Sequence, residues 1–467
     1  MVKRERFFRN LSPFEIVIGT NAGNATTAIS PGGSATLGLK HPGPDAIRLT
    51  ATQLGSLTSP LSLTFTLNKK SRPSWTQLDA CMNDDLSDRP PSVASEDTLR
   101  PCVWRRLKVF QKGQELLALS TPRLDGWMAH MPDTMSLGDI SLPGTHQSTA
   151  LYGVPVSQCQ QPSTPLKVQL ADGIRFLDVR LAEKKGKLIA YHGILTQRAN
   201  FEDLLADVKA FLQSPESNRE TVIMSINQEN ASTELFLTIL KGYIRASDPS
   251  LWFLANRIPP LSQVRGKIVL FSRFGGDDES WKLVGGRGIH PIDWPNSVQE
   301  GFQTTLPSRP AGEKRDDSED DNWGRTFGVN DWYDINTILS IPEKTDTIQR
   351  TLCKESALDG HIPLVFCSAS SFPLAFPVTV ARGFGWPRWG LGVQGVNDRM
   401  VGWLVERLAA GASRLNTKPK EKEKEERNMT ANDDRKQSSQ MIRGWILFDF
   451  YRSPDILVDT VVALNFC

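Results

Sequence analysis

From about residue 130 onward the chain alternates short apolar runs with a stretch of helical period, and this alternation restricts the fold more than any other feature. The β-type runs fall at 174–181, 188–191, 221–226, 267–273, 363–367 and 445–450. Between two of them, Phe201, Leu204, Leu205, Val208, Phe211 and Leu212 recur at i, i+3, i+4, i+7 spacing, which predicts an amphipathic helix. Asn200 stands at its N-cap position, with Asp203 three residues later as in a capping box. Strand, helix, strand is the order of a parallel sheet. Several such units in one stretch predict an α/β fold, an irregular (β/α)8 barrel of TIM type.

Residues 1–120 have a different pattern. Phe14–Gly19, Ala46–Thr52 and Leu61–Leu67 alternate apolar and polar residues between clusters of Gly, Pro, Ser and Asn, as short half-buried antiparallel strands do. The expected organisation is a small all-β, sandwich-like domain over 1–120, followed by a barrel over 121–467. Asn83–Pro101 is polar and rich in Pro and Ser, and suits a long loop or a linker. Two charged stretches, 313–322 and 418–439, lack an apolar face and are expected to be disordered insertions.

The formal net charge of +2 is too small to point to nucleic acid, and no dense basic stripe is present. No apolar run is long enough to span a bilayer, and the charged N-terminus lacks the apolar segment of a secretory signal. The six cysteines are scattered without C-x-x-C spacing, so they read as reduced thiols of an intracellular protein. A cytoplasmic monomer that touches membranes transiently is expected.

Candidate chemistry gathers at strand ends, which in a parallel barrel face one mouth. His146 follows Ser141-Leu-Pro-Gly-Thr; Asp178 and Arg180 end the run Ile174–Arg180 with the same parity; His192 follows Leu188-Ile-Ala-Tyr; Asp449 ends Trp445-Ile-Leu-Phe-Asp. Each has a bland reading: a structural histidine, a salt bridge, a helix cap. Together they form an acid–base pair with a guanidinium, the equipment for moving protons across a phosphate diester.

Segments 139–149, 172–193 and 221–229 resemble the X region of phosphatidylinositol-specific phospholipase C in its bacterial single-domain form. So do Arg265–Arg273, Trp294-Pro295, Val329–Tyr333 and Gly444–Asp449. The resemblance covers about 130–460. It implies that His146, oriented by Asp449, takes the proton of the inositol 2-hydroxyl, that Arg180 binds the phosphate, and that His192 protonates the leaving diacylglycerol. The product would be inositol 1,2-cyclic phosphate. Asp178 would align Arg180 or a neighbouring donor. Glu229, Arg273, Asp331 and Tyr333 would line the headgroup pocket, beside Gln147 and Asn227. Because Arg180 occupies the place where calcium-dependent relatives hold a cation, no metal and no cofactor is expected.

Three positions depart from the bacterial pattern. Gln147 replaces an aspartate that assists the general acid, Asn227 a lysine, and Asn296 an aspartate. Membrane contact is expected from Phe372, Phe376, Phe384, Trp386 and Trp389 in Ser371–Gly392, with buried packing between loops as the alternative. Two other functions fit less well. A glycerophospholipid or sphingolipid phosphodiesterase would need an acidic metal cluster beside the histidines, and a catalytically impaired lipid-binding scaffold would not need both histidines.

Overall fold

The computed structural model describes residues 4–12, 15–20, 23–39, 46–52, 61–66, 75–82, 104–229, 233–276, 278–308, 323–387, 391–415 and 442–466. The expected insertions at 313–322 and 418–439, and all of Asn83–Pro101, lie outside the described residues, as does Trp389. The chain divides into two units, one of 1–123, 402–439 and 463–467, the other of 124–401 and 440–462.

The first unit holds two sheets. One runs in the order Ser34–Leu39, Arg4–Leu11, Glu115–Pro122, Trp104–Lys112, Thr76–Met82; the other runs Gly23–Ile29, Glu15–Thr20, Ala46–Thr52, Leu61–Thr66. Residues Leu116–Leu119 are all buried, so the Glu115–Pro122 strand is covered on both faces. Helical residues 402–415 also belong to this unit. Arg9 donates to the Ala409 carbonyl at 2.6 Å, and Trp75 Nε1 to Glu406 at 2.9 Å.

In the second unit seven strands run parallel in the spatial order Ile268–Arg273, Val222–Gln228, Phe176–Lys184, Leu142–Thr145, Trp445–Phe448, His361–Phe366, Thr326–Asn330. The sheet curls on itself. Phe271 on the first strand and Phe327 on the last meet edge to face with ring centroids 5.7 Å apart, although no described ladder joins those strands. At the position of the eighth strand, the short Trp252–Phe253 pairs parallel with Ile268–Val269, and Ile289 adds an isolated parallel bridge to Phe271.

The apolar run 188–191 is not a barrel strand. Lys187–His192 pairs antiparallel with the extension Leu181–Lys184 and then with Leu195–Asn200, forming a meander beside the barrel. A short β-type run does not reveal its partner, and the two-residue Lys185-Gly186 turn, with φ of 54° and 75°, folds it back. The helix Phe201–Gln213 forms as its spacing predicts. Asn200 occupies the cap position, but its side chain donates to Asp203 at 3.2 Å instead of accepting a backbone N–H.

The period of two along each strand builds the floor under the site. Phe176, Phe271, Phe327 and Trp445 meet inside the barrel at centroid distances of 5.3–6.4 Å. Two or four residues further along the same strands stand Asp178 and Arg180, Arg273, Asp331 and Asp449. Gly144 is required here: an added Cβ would lie 2.9 Å from Phe176 Cβ and 3.0 Å from Leu447 Cγ.

Candidate active site

His146 follows Leu142–Thr145 directly and Asp449 follows Trp445–Phe448, two strands paired in register, Thr145 opposite Phe448. Adjacent strand ends therefore deliver an imidazole and a carboxylate side by side, with His146 Nδ1 2.8 Å from Asp449 Oδ1. Arg180 Nη2 lies 3.1 Å from His146 Nε2. A guanidinium can only donate, so Nε2 is the acceptor and Nδ1 carries the proton given to Asp449. Buried Gln160 ties the two strand ends together, donating to the His146 carbonyl at 2.9 Å and the Phe448 carbonyl at 2.8 Å. Asn397 holds the following turn through the Asp449 carbonyl at 2.9 Å. Gln147 and Phe450, the residues after His146 and Asp449, both have left-handed backbone, φ 45° and 46°.

Arg180 is held from several sides. Asp178 Oδ2 is 3.4 Å from Nη2 and Glu229 Oε1 is 3.6 Å from Nη1. In the amide orientation that satisfies both partners, the Gln147 oxygen accepts from Arg180 Nη1 and Nε at 3.0 Å each. Asp178 also accepts the Gln147 N–H at 3.0 Å. Burial pushes the Asp178 carboxyl up, but Arg180, Arg273 and His146 outweigh it and hold it below the usual range. Burial pushes Asp449 up, partly offset by His146. Burial likewise raises Glu229, against the pull of Arg180.

Arg273 stands beside this group on the other wall. Its Nη2 is 3.6 Å from Asp331 Oδ2, its guanidinium lies 4.0 Å from the Trp294 ring centroid, and Trp294 Nε1 donates to Asp331 at 2.9 Å. Asn227 pairs in register with both Arg180 and Arg273, placing its side chain between theirs on the inner face. Tyr333 donates its hydroxyl to Asn296. His146, Arg180, Glu229, Arg273 and Asp331 each keep 11–20% of their side-chain surface exposed, whereas Asp178 and Asp449 keep 0% and 1%. The charged groups thus line an opening over a sealed acidic layer.

Residues 145–274 match the family model described as phosphatidylinositol-specific phospholipase C, X domain. The resemblance read from the sequence holds for this segment. A 1-phosphatidylinositol phosphodiesterase of Listeria monocytogenes is 34% identical over 160 residues, 31% of this chain and 48% of the relative. One from Staphylococcus aureus is 28% identical over 163 residues, 32% of this chain and 52% of the relative. The chain thus spans about half the length of the curated relatives it matches. Among solved structures, a double mutant of the phosphatidylinositol-specific phospholipase C from S. aureus aligns with a TM-score of 0.49 at 18% identity, covering 73% of this chain and 97% of that one. The enzyme from L. monocytogenes aligns with a TM-score of 0.46 at 18% identity, covering 73% and 98%.

His192, inside the X-domain segment, comes from the meander and not from a barrel strand end. Its Nδ1 lies 2.7 Å from the Ser157 carbonyl, so Nδ1 carries a proton and Nε2 is left with the lone pair. Burial, with the charges of His146 and Arg180, lowers its pKa from 6.5 to about 4, although the Ser157 bond works in the opposite direction. The X-domain segment also carries a residue that no motif singles out: Cys159, fully buried, with Sγ 3.8 Å from His192 Nδ1. Its lone spacing carries no motif, and only the fold brings it between the two imidazoles. Trp294 was part of the family resemblance, but its cover over Arg273 is visible only in three dimensions.

Three aromatics of the segment Ser371–Gly392 are exposed, whereas Phe376 is half-buried. Phe372, Phe384 and Trp386 are 74%, 59% and 69% exposed, which excludes buried packing for these three. Gly383–Trp386 and Leu391–Gln394 form a two-stranded hairpin. Among the described residues no helix is long and apolar enough to cross a membrane.

Proposed function

We propose that this protein is a phosphatidylinositol-specific phospholipase C-like phosphodiesterase, a phosphoric diester lyase, acting on an inositol phospholipid at a bilayer surface. The observation that carries the reading is the Asp449–His146–Arg180 chain, 2.8 Å and 3.1 Å long, over a mouth lined by cations. His146 Nε2 takes the proton of the inositol 2-hydroxyl while Asp449 fixes the tautomer. The freed oxygen attacks phosphorus, and Arg180 turns from His146 to the phosphoryl oxygens as their charge grows. His192 delivers a proton to the departing diacylglycerol oxygen. The products are inositol 1,2-cyclic phosphate and diacylglycerol.

Asp178 Oδ1 and Arg273 Nη1 support the headgroup assignment. Both are buried without a hydrogen-bond partner and lie 4.0 Å apart, so a sugar hydroxyl between them could donate to one and accept from the other. Glu229, Asp331, Tyr333, Gln147 and Asn227 complete the pocket. Arg180 supplies the positive charge, and no divalent cation takes part in the reaction. A monomer is the proposed state, and the exposed Phe372, Phe384 and Trp386 suit a transient hold on lipid.

The test follows purified protein on phosphatidylinositol vesicles by phosphorus NMR. The cyclic phosphate resonance is expected, and it is expected to vanish in His146→Ala with lipid binding kept. Folded protein that yields no cyclic phosphate removes the reading. The neutral state of His192, together with a neutral amide at Gln147, favours one alternative, a lipid-binding scaffold without turnover, and the same experiment separates the two.

A further inference from the structure

We propose that His146, Cys159 and Asp449 form a site for a thiophilic divalent cation of the Zn2+ class, and that its occupancy switches the phosphodiesterase off. One ligand atom from each residue lies within 4.8 Å of the other two. Tetrahedral zinc with sulfur, nitrogen and oxygen ligands has edges of about 3.3–3.6 Å, so the sulfur must close by about 1 Å while His146 Nδ1 and Asp449 Oδ1, now 2.8 Å apart, open by about 0.5 Å. The three residues come from different places: the end of the Leu142–Thr145 strand, the 151–163 loop, and the end of the Trp445–Phe448 strand. The loop residue is anchored, since Cys159 N donates to the Ala150 carbonyl at 2.9 Å and its carbonyl accepts from Phe450 N at 2.8 Å. These bonds fix the Cys159 backbone, so the remaining approach of the sulfur is a rotation of its side chain.

The donor set selects the metal. A thiol, an imidazole and a single carboxylate suit Zn2+ or Cd2+ and do not suit calcium or magnesium, which require several oxygens. Thiolate and carboxylate together neutralise the cation, which offsets the unfavourable field of Arg180 on the far side of the ring. Binding releases the Cys159 thiol proton to solvent. If the metal takes Nδ1, the proton there moves to Nε2, and Arg180 turns from the ring to Asp178, Glu229 and Gln147, which already surround it. Nε2 then carries a proton and cannot accept one from a substrate. Cys159 has no role in the proposed reaction. That the cation inhibits rests on the proposed function; that it binds does not.

The experiment titrates the purified full chain with Co2+ and reads the sulfur-to-cobalt charge-transfer band, which Zn2+ should bleach by displacement. The band is expected in the wild-type protein and in Cys353→Ser, and is expected to be lost in Cys159→Ala. Zn2+ should inhibit phosphatidylinositol cleavage by the wild-type protein, and Cys159→Ala should need about tenfold or more Zn2+ for the same inhibition. If the alanine variant does not fold, Cys159→Ser, close in volume and a poor soft ligand, carries the same expectation. No band in the wild-type protein, or a band of equal strength in the Cys159 variant, overturns the site. A band that depends on Cys159 in a protein without cleavage activity leaves the site standing and removes the proposed function.

Discussion

The protonation of His192 is the most demanding part of the proposed reaction. In the free protein its pKa of about 4 leaves roughly one ring in a thousand protonated at neutral pH, a cost of about 4 kcal/mol for a general acid. The main cause is burial, and a substrate phosphate can reverse it. One negative charge about 4 Å from the ring, at an effective dielectric constant of about 20, favours the imidazolium by about 4 kcal/mol, or about three pKa units. The substrate would thus bring its own acid into register, raising His192 to about 7 on binding. The perturbation is saturation with a soluble phosphonate analogue of the diester. The assay is a pH titration of the histidine ring resonances by NMR, with His192→Asn to assign the signal among the six histidines. The expected result is an apparent pKa near 4 in the free protein and near 7 in the complex, with the alkaline limb of kcat following the latter. A free-state value near 6.5, or a rise of less than about one unit on saturation, refutes the reasoning. The same shift affects folding. A histidine whose folded pKa lies below its unfolded value of 6.5 binds more protons when unfolded, so stability is retained above about pH 6.5 and falls by about 3 kcal/mol as the pH drops through about 4.

Four further outcomes are expected. Arg180→Lys replaces a fork by a point charge, and should lower kcat by about 10²–10³ with little change in KM, as steady-state kinetics on a soluble substrate would show. Glu220→Ala leaves Arg175 buried without its carboxylate, now 2.7 Å from both Nε and Nη2, and should cost about 3–5 kcal/mol in a denaturant titration while the active-site geometry is kept. Phe372→Ala combined with Trp386→Ala should weaken vesicle binding and leave cleavage of a soluble substrate intact; equal loss of both would show that the two rings serve folding. Treatment with EDTA should leave activity unchanged, and activity abolished by chelation and restored by calcium would contradict the role given to Arg180.

How much of this was legible in the sequence depends on which interactions are local. Parity alone put Asp178 and Arg180 on one face, and the strand runs at 174–181, 221–226, 267–273 and 445–450 correspond to strands whose ends carry Arg180, Asn227, Arg273 and Asp449. Lys187–His192 was legible as a strand but not as a meander. Its partner is chosen by the Lys185-Gly186 turn and by pairing with Leu181–Lys184, and neither changes the apolar pattern. This moved His192 from the barrel rim to a neighbouring arm, where burial and the Ser157 carbonyl set its charge. A motif carries a residue's type and place but not its desolvation, so the reading of His192 as a ready acid could not anticipate a neutral ring. Cys159 shows the same limit from the other side. Nothing along the chain distinguishes it from Cys353 or Cys367, yet the return of the 151–163 loop over the strand ends sets its sulfur against the imidazoles. The residues that determine what this site can bind are therefore divided between those a strand delivers by period and those a loop delivers by closure, and only the first group leaves a trace in the sequence.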